Sequence, residues 1–297
     1  MRVTTTSNYN TMRDSLGSAL SRVSELQASM GTGRRINKPS DDPVGSAKAL
    51  RFRSYEADQV AYARSADDAT TRLGVADTKL QHVSASLRQV RQLAIQANNT
   101  VLSSEARGAL RDQLLALRDE VLGLANSSHG GHALFGGHAE TAVAQQPDGT
   151  WAYAGDAGQV RRRVGQGTVV TVNADGPKAF GFDQPPGQDL FSVLDRLAAS
   201  VVSGDPYALA QGQRELEARA DQVLGALGTV GATTNAVDAA RSRGEQFVAQ
   251  ITAERSEIED LDLAEAVLQL SDARTAYEAA LGAVAKADVP SLADFLR

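Results

Sequence analysis

The chain of 297 residues contains no cysteine, and this absence excludes several kinds of protein at once. Without thiols there is no disulfide framework, no cysteine nucleophile and no cysteine-ligated metal. Proline and aromatic residues are also scarce, with 8 prolines and 5% aromatic side chains. Small aliphatic side chains, alanine above all, must therefore fill the core. This favours narrow helix–helix seams over one large round core.

Long apolar runs are absent as well. No stretch is long enough to span a bilayer, and residues 1–4 do not open the apolar segment of a secretory signal. The formal net charge of -6 argues against binding to the phosphate backbone of nucleic acid. We therefore expect neither a membrane nor a nucleic acid among the partners.

The chemistry-bearing residues do not form a recognisable site. Three of the four histidines, His129, His132 and His138, fall in one glycine-rich loop. Three imidazoles could bind Zn²⁺ or Ni²⁺, but the glycines leave their spacing unfixed, and polar turn residues are the better interpretation. Neither a serine–histidine–aspartate order with an elbow glycine nor a full phosphate-binding motif occurs. We expect no catalytic residue, no metal ligand and no cofactor, and hence no enzyme.

Apolar residues recur at alternating steps of four and three along most of the chain. The longest run extends from Leu216 to Ile258, and no proline lies between Pro206 and Pro290. This spacing averages 3.5 residues and keeps one helix face turned toward a partner helix. At 1.5 Å per residue such a helix would be roughly 65 Å long. Further runs cover residues 73–97 and 110–124, so the sequence predicts a bundle of at least three long helices.

The sequence pattern changes at about residue 133, where short apolar runs alternate with turn residues. Strands are predicted at 151–153, 160–164 and 168–172, the last two joined through Gly165 and Gly167. The predicted fold is mainly α, an elongated bundle of long antiparallel coiled-coil-like helices with a small β-rich insert domain. We expect the insert to be separable from the bundle. The predicted regions are terminal helices within 1–35 and 260–297 as an inner assembly domain, the long-helix bundle in 36–132 and 188–259, and the β-rich outer insert and linker in 133–187.

Both ends of the chain carry amphipathic helices that the central bundle does not need. Surplus apolar faces of this kind usually serve association between chains. One seam steps from Met12 to Met30, and a weaker one, interrupted by Arg274, steps from Val267 to Val284. The residues to which we assign assembly are Met12, Leu16, Val23, Leu26, Met30, Val267, Leu270, Tyr277, Leu281, Val284, Phe295 and Leu296.

The sharpest local signal follows the first of these helices. Gly33 is of the type that ends a helix, and Pro39 favours an extended residue before it. Asp42 is predicted to cap the next helix with Pro43 as its first residue, and Asp41 to stabilise the positive end of the same helix. The complete motif is Gly33, Arg35, Ile36, Asn37, Pro39, Ser40, Asp41, Asp42 and Pro43.

Two segments of the sequence resemble those of a known family. Residues 30–43 resemble the N-terminal signature of bacterial flagellins and their relatives, and residues 258–296 resemble the C-terminal signature. The resemblance implies a structural protein that is exported unfolded through the flagellar type III apparatus and self-assembles through its terminal helices. The Pro-Ser-Asp-Asp-Pro stretch at 39–43, and the lack of an Ala-Asn-Gln element near the end, favour a junction subunit over filament flagellin.

The resemblance also implies partners and a location. A junction subunit would form a ring of identical subunits on the extracellular flagellum, between hook-associated protein 1 and flagellin, and would use an export chaperone. Two alternatives stay open: filament flagellin itself, and a coiled-coil scaffold of another secreted assembly. The scaffold would explain the helical seams but not the matching signatures at both ends.

Overall fold

The computed structural model describes residues 2–98 and 102–287, and the side chains of residues 10–98 and 102–285. The chain divides into two compact units, one formed by residues 1–58 with 247–297 and the other by residues 59–246. The fold is mainly α, as predicted. The elements in chain order are α1 (Arg2–Thr32), α2 (Pro43–Ala97), α3 (Ser104–Ala125), β1 (Ser128–His129), β2 (His132–Ala133), β3 (Val143–Gln145), β4 (Trp151–Tyr153), β5 (Arg161–Gly165), β6 (Thr168–Thr171), α4 (Gly176–Phe180), α5 (Leu190–Ser203), α6 (Pro206–Glu259) and α7 (Leu263–Ala287).

The two longest helices are α2, with 55 residues, and α6, with 54, and each contributes to both units. Both begin at an Asp-Pro pair, where the aspartate accepts a hydrogen bond from a backbone N–H of the first turn. Asp42 Oδ1 accepts from Gly45 N at 2.8 Å, and Asp205 Oδ1 accepts from Tyr207 N at 2.9 Å. Proline costs nothing at the first helical position because its missing N–H would have no partner there.

The core of the unit 59–246 is built on the predicted helical seams. Every position of the α2 seam from Leu73 to Ala97 is buried: Leu73, Ala76, Leu80, Val83, Leu87, Val90, Ala94 and Ala97. Leu110, Leu114 and Val121 continue this core from α3, whereas Leu117 and Leu124 are only half-buried. From α6 the buried members are Leu216, Val223, Val230 and Val237. The spacing of three and four residues therefore predicted the buried faces of these helices.

The β segment forms three separate two-stranded antiparallel hairpins, β1–β2, β3–β4 and β5–β6. The predicted strands at 151–153, 160–164 and 168–172 correspond to β4, β5 and β6 within one residue. The sequence missed β1, β2, β3 and the five-residue helix α4, which are too short to show a periodicity. The equally short β4 was predicted because tryptophan and tyrosine favour strands. Asn126 organises the first turns: its side chain accepts from Ala142 N and Val143 N and donates to Val143 O at 2.9 Å.

The β segment and the helices of this unit share one hydrophobic core. Phe135, Phe180 and Phe191 are fully buried. The ring centroid of Phe180 lies 5.3 Å from that of Phe135 and 6.0 Å from that of Phe191. Phe191 belongs to α5, which packs on α3. The buried guanidinium of Arg72 on α2 donates to Ala133 O at 3.0 Å, which fixes the start of the segment against that helix.

In the other unit, α1 packs against α7. The predicted α1 face is the inward one, with Val23 buried and Met12, Leu16, Leu26 and Met30 half-buried. For α7 the predicted seam was wrong by one residue at every second position. Ala266 and Ala273 are buried, whereas Val267, Arg274 and Leu281 are exposed.

The physical reason for this error is side-chain size. The seam was placed on the larger apolar residues of α7, but its buried face carries alanines at the alternate positions, which let a neighbouring helix approach closely. Leu270, Tyr277 and Val284 are common to both registers and are half-buried. Phe295 and Leu296, which the sequence also assigned to assembly, lie outside the described residues.

Candidate assembly site

The connection between α1 and α2 lies beside the connection between α6 and α7, and we call residues 33–42 together with 260–262 the joint. Gly33 adopts a φ of +68°, the left-handed conformation that glycine reaches without strain, and so turns the chain out of α1. Arg35 N then donates to Glu259 O at 2.7 Å, and Leu261 N donates to Gly33 O at 3.0 Å. The two connections are therefore paired by an antiparallel bridge in which Arg34 is opposite Asp260.

Ion pairs formed by two carboxylates and two guanidiniums connect α2 and α6 next to this bridge. The buried carboxylate of Glu259, at the end of α6, accepts from Arg53 of α2 at 2.6 Å. Arg255, one turn earlier on α6, binds Glu56 of α2 and lies 3.8 Å from Glu259. Because the side chain of Glu259 is only 7% exposed, removing Arg53 would leave its buried charge with Arg255 alone, at the longer distance.

The sequence motif between α1 and α2 folds into a network of local hydrogen bonds. Asn37 contacts both sides of the turn: its Nδ2 donates to Ser29 Oγ at 3.1 Å, and its Oδ1 accepts from Thr32 Oγ1 at 2.7 Å. Lys38, Pro39, Ser40 and Asp41 form a turn closed by Asp41 N donating to Lys38 O at 3.0 Å, with proline at its favoured second position. Pro39 and Ser40 are exposed and occupy the two central positions of this turn.

Asp41 and Asp42 have different roles, which corrects the prediction that both stabilise the helix α2. Asp42 caps α2 as predicted. Asp41 instead points back into the joint, where its Oδ2 accepts from Lys38 N at 2.8 Å and from Asn37 N at 3.0 Å. These backbone N–H groups, that of Lys38 first, lower the pKa of the Asp41 carboxyl because they stabilise its charged form.

Arg35 and Ile36 complete the joint from the same segment. The Arg35 guanidinium donates to Ile258 O at 2.8 Å and lies 3.5 Å from the carboxylate of Asp42. Ile36 is buried and lies beside Gly45, where an added Cβ would be 2.7 Å from Ile36 Cδ1. On the other connection, Asp262 Oδ1 caps α7 by accepting from Ala264 N at 2.9 Å. The motif therefore fixes where α1 and α7 begin to run together.

The pair of helices α1 and α7, which we call the terminal pair, leaves much of its apolar surface in contact with solvent. Among its described side chains the buried apolar residues are Val23, Ala266 and Ala273. Two helices can cover each other along one stripe only, so the larger side chains on each flank stay partly exposed. A helix pair of this kind gains further stability by packing against additional helices.

A second apolar stripe on α7 lies beside the one that faces α1. Leu263 is 57% exposed, Val267 53% and Leu281 42%, and Arg274 lies between the last two on the same face. Leu20 of α1 is 49% exposed. These side chains include Val267 and Leu281, two of the residues assigned to assembly from sequence, and their role in assembly stays a prediction.

The histidines of the glycine-rich loop do not converge. His129 and His132 lie opposite each other across β1 and β2, and the backbone N–H of His138 donates to Asp156 Oδ1 at 2.8 Å. Across residues 2–98 and 102–287 no group of three or more histidine, aspartate or glutamate side chains is placed to hold a metal ion. Within the same ranges, no helix has the length and apolar character that crossing a membrane requires.

Comparison with known proteins confirms the resemblance read from the sequence. Residues 3–140 match the model of the bacterial flagellin N-terminal helical region. The homologous proteins indicate a narrower class than the flagellin model does. The flagellar hook-associated protein 3 of Escherichia coli strain K12 is 25% identical over 278 residues, covering 84% of this chain and 86% of that protein. The protein of the same name from Salmonella typhimurium is 26% identical over 212 residues, covering 68% and 67% of the two chains.

A solved structure has the same fold. It is that of a putative flagellar hook-associated protein from Vibrio parahaemolyticus, with a TM-score of 0.68 and 21% identity over 74% of this chain and all of that one. Filament flagellins are similar over a shorter stretch: the flagellin of Salmonella derby is 29% identical over 124 residues, which cover 42% of this chain and 23% of that protein. The likeness to hook-associated proteins therefore extends along more of the chain than the likeness to flagellins.

Proposed function

We propose that this chain is a structural subunit of the bacterial flagellum that forms the junction between hook and filament. The observation that carries the proposal is homology to a flagellar hook-associated protein 3 over 84% of the chain. The terminal pair supports it, because a pair of helices with half-buried seams and an exposed stripe on α7 is suited to packing against neighbouring subunits.

In this proposal the partners are other copies of the chain in a ring, hook-associated protein 1 on one side and flagellin on the other, with an export chaperone before assembly. Its place is the extracellular flagellum, reached through the flagellar export apparatus. The chain acts by packing and catalyses no reaction. Assembly surfaces are assigned to the terminal pair, including the exposed Val267 and Leu281.

Filament flagellin is the second candidate, and the match to the flagellin N-terminal region at residues 3–140 favours it only in part. The similarity to a flagellin covers 42% of this chain, whereas the similarity to a flagellar hook-associated protein 3 covers 84%. A coiled-coil scaffold of another assembly does not account for the flagellin match at residues 3–140.

Complementation of a strain that lacks its own copy of this gene tests the proposal. Expression of the chain should restore filaments attached to hooks, seen by electron microscopy, and should reduce the flagellin released into the medium. The same chain should build no filament in a strain that lacks flagellin. Failure to restore attached filaments would remove the junction function, and filaments built in the flagellin-deficient strain would establish the second candidate.

A further inference from the structure

The hairpin β1–β2 brings two histidines to directly opposite positions. Gly130 and Gly131 form its two-residue turn, with φ values of +61° and +82°. A turn with positive φ at both central residues has a twist that matches the flanking strands, and glycine adopts it without strain. This turn determines the register, in which His129 is paired with His132. The sequence alone leaves the spacing of these histidines open, and the hairpin defines it.

Both imidazoles lie on the same face of the hairpin and are accessible from solvent. Residues directly opposite each other in an antiparallel pair project to the same side, with Cβ atoms about 4.5–5.5 Å apart. Ala133 is buried, so the pleat turns the preceding residue, His132, outward, where it is exposed. His129, opposite to it, is half-buried. The hairpin therefore presents two neighbouring imidazoles at its surface.

The base of the hairpin is held in place by hydrogen bonds. Leu134 N donates to Ser127 O at 2.9 Å and continues the ladder beyond the paired strands. The buried guanidinium of Arg72 donates to Ala133 O at 3.0 Å and to His129 O at 3.4 Å, so it holds carbonyls of both strands. A metal site needs ligands that surrounding contacts keep in position. The two imidazoles have this support, which a flexible glycine-rich loop would lack.

The separation of the two imidazoles is that of a known type of two-histidine metal pair. Histidines at positions i and i+4 of a helix, as in the H-E-x-x-H motif, bind Zn²⁺ together from Cβ atoms about 5–6 Å apart. Each metal–nitrogen bond is about 2.0–2.1 Å long, and imidazoles at this separation can therefore reach one ion from two sides. The pair across the hairpin has nearly the same Cβ separation, so it can bind an ion in the same way.

We propose that His129 and His132 together bind one divalent transition-metal ion at the tip of the hairpin β1–β2. Imidazole is a ligand for Cu²⁺, Ni²⁺ and Zn²⁺, whereas Mg²⁺ and Ca²⁺ prefer oxygen, and Cu²⁺ binds a given set of ligands most tightly. Within residues 2–98 and 102–287 no third histidine, aspartate or glutamate is placed to join the pair, so water completes the coordination. This site does not depend on the proposed junction function.

Titration calorimetry of the purified full-length protein with CuCl₂ tests the site, and the absence of cysteine removes competing thiolates. H129Q and H132Q should each weaken the binding of Cu²⁺ by about tenfold or more, because a single imidazole loses the advantage of two linked ligands. H82Q is the matched control, since His82 is an exposed histidine of α2 outside the loop, and it should leave the affinity unchanged. H138Q should also leave it unchanged, because His138 does not belong to the pair.

A further variant keeps both histidines and changes only their register. One glycine inserted between Gly130 and Gly131 removes the two-residue turn, so this protein should bind Cu²⁺ several-fold more weakly while it melts at a similar temperature. Electron paramagnetic resonance of the Cu²⁺ complex should show two imidazole nitrogens in the wild-type protein and one in H132Q. The proposal would be overturned by a wild-type protein that binds no Cu²⁺, by equal affinities of H82Q, H129Q and H132Q, or by wild-type affinity in the insertion variant.

Discussion

At the scale of single residues, side-chain oxygens decide where the helices begin. Each cap accepts a hydrogen bond from a backbone N–H of the first turn, which would otherwise have no partner. The sequence predicted the cap at Asp42, because an aspartate directly before a proline that can start a helix is a readable signal. The residues that cap helices in this way are Asp42, Ser103, Asp175, Asp189, Asp205 and Asp262.

The contribution of the α2 cap to the free energy of unfolding can be measured directly. Replacing Asp42 by alanine removes the acceptor for Gly45 N and should lower the free energy of unfolding by about 0.5–2 kcal/mol. Urea denaturation of both proteins measures the difference. Asp238→Ala is the matched control, since this exposed aspartate lies inside α6 and caps nothing. An equal loss in the two variants would show that Asp42 does not act as a cap.

The carboxyl of Asp41 makes part of the stability depend on pH. Its pKa is lowered in the folded protein, so its contribution is complete above the ordinary value near pH 4 and is lost as the pH falls through the folded-state value. The amide of Asp41→Asn does not titrate. The wild-type protein should therefore melt at a higher temperature than the variant at pH 6, and the difference should shrink toward pH 3. A difference that stays constant would contradict this role.

At the scale of the elements, the sequence predicted those whose side chains differ strongly between faces. The stripe from Leu73 to Ala97 alternates large or apolar residues with polar ones, and all of its eight positions are buried as predicted. Helix α7 has no such contrast, because alanine occurs on both faces and is only weakly apolar. Ala266 and Ala273 are buried because α1 packs closely against that face of α7, and the sequence of α7 alone does not indicate this contact.

At the joint, prediction from the local sequence is limited in the same way for polar residues. Its turn and the Asp42 cap follow from proline and aspartate in the local sequence. The pairing of Arg53 with Glu259 joins residues that are 206 positions apart, and nothing near either residue indicates the other. Long-range pairs of this kind appear only when the helices are assembled.

Two helical glycines should respond in opposite ways to alanine. At Gly228 of α6 an added Cβ meets no atom within 4 Å, so Gly228→Ala should stabilise the protein by about 0.5–1 kcal/mol through helix propensity. At Gly45 of α2 the Cβ would lie 2.5 Å from Asp42 Oδ2 and 2.7 Å from Ile36 Cδ1, so Gly45→Ala should destabilise it. Thermal melts of the two variants measure both effects. A gain at Gly45 as large as that at Gly228 would show that the joint is not closely packed.

The shared core changes what we expect from removing the β segment. The sequence alone suggested that a short linker could replace residues 133–182 and leave the helices folded. In the structure Phe135 and Phe180 pack with Phe191 of α5, so their removal would expose a large part of the buried surface of that helix. We therefore expect the shortened protein to lose cooperative melting. Circular dichroism that retained both the helical signal and a sharp transition would show the segment to be separable after all.

At the scale of the whole molecule, folding and assembly should depend on different faces of α7. Ala273→Asp places a charge on the buried face and should disrupt the terminal pair, seen as loss of amide protection in α1 and α7 by hydrogen exchange. Val267→Asp lies on the exposed stripe, so the monomer should keep its protection and its stability within about 0.5 kcal/mol.

In cells the two variants should both fail to retain filaments, but for different reasons. Val267→Asp should yield a folded subunit that does not join its neighbours. Leu268→Asp serves as the control because Leu268, also exposed, lies roughly 100° further around the axis of α7 and outside the exposed stripe. Normal filament retention by Val267→Asp would remove the exposed stripe from the assembly surface.

The bridge at the joint also imposes an order on folding. It links residues that are 223 positions apart, as in the bond from Arg35 to Ile258 O, so the chain cannot close it until both ends of this long segment are present and close together. Closing so long a loop costs configurational entropy unless intervening helices first bring its ends together. Contacts between α2 and α6 close to the joint include Tyr55 with Phe247 and Glu56 with Arg255. Once these contacts have formed, the chain that still has to close between them and the bridge is short. Helices α1 and α7 are thus the last to be joined, so their pairing requires that the segment between them has already folded correctly.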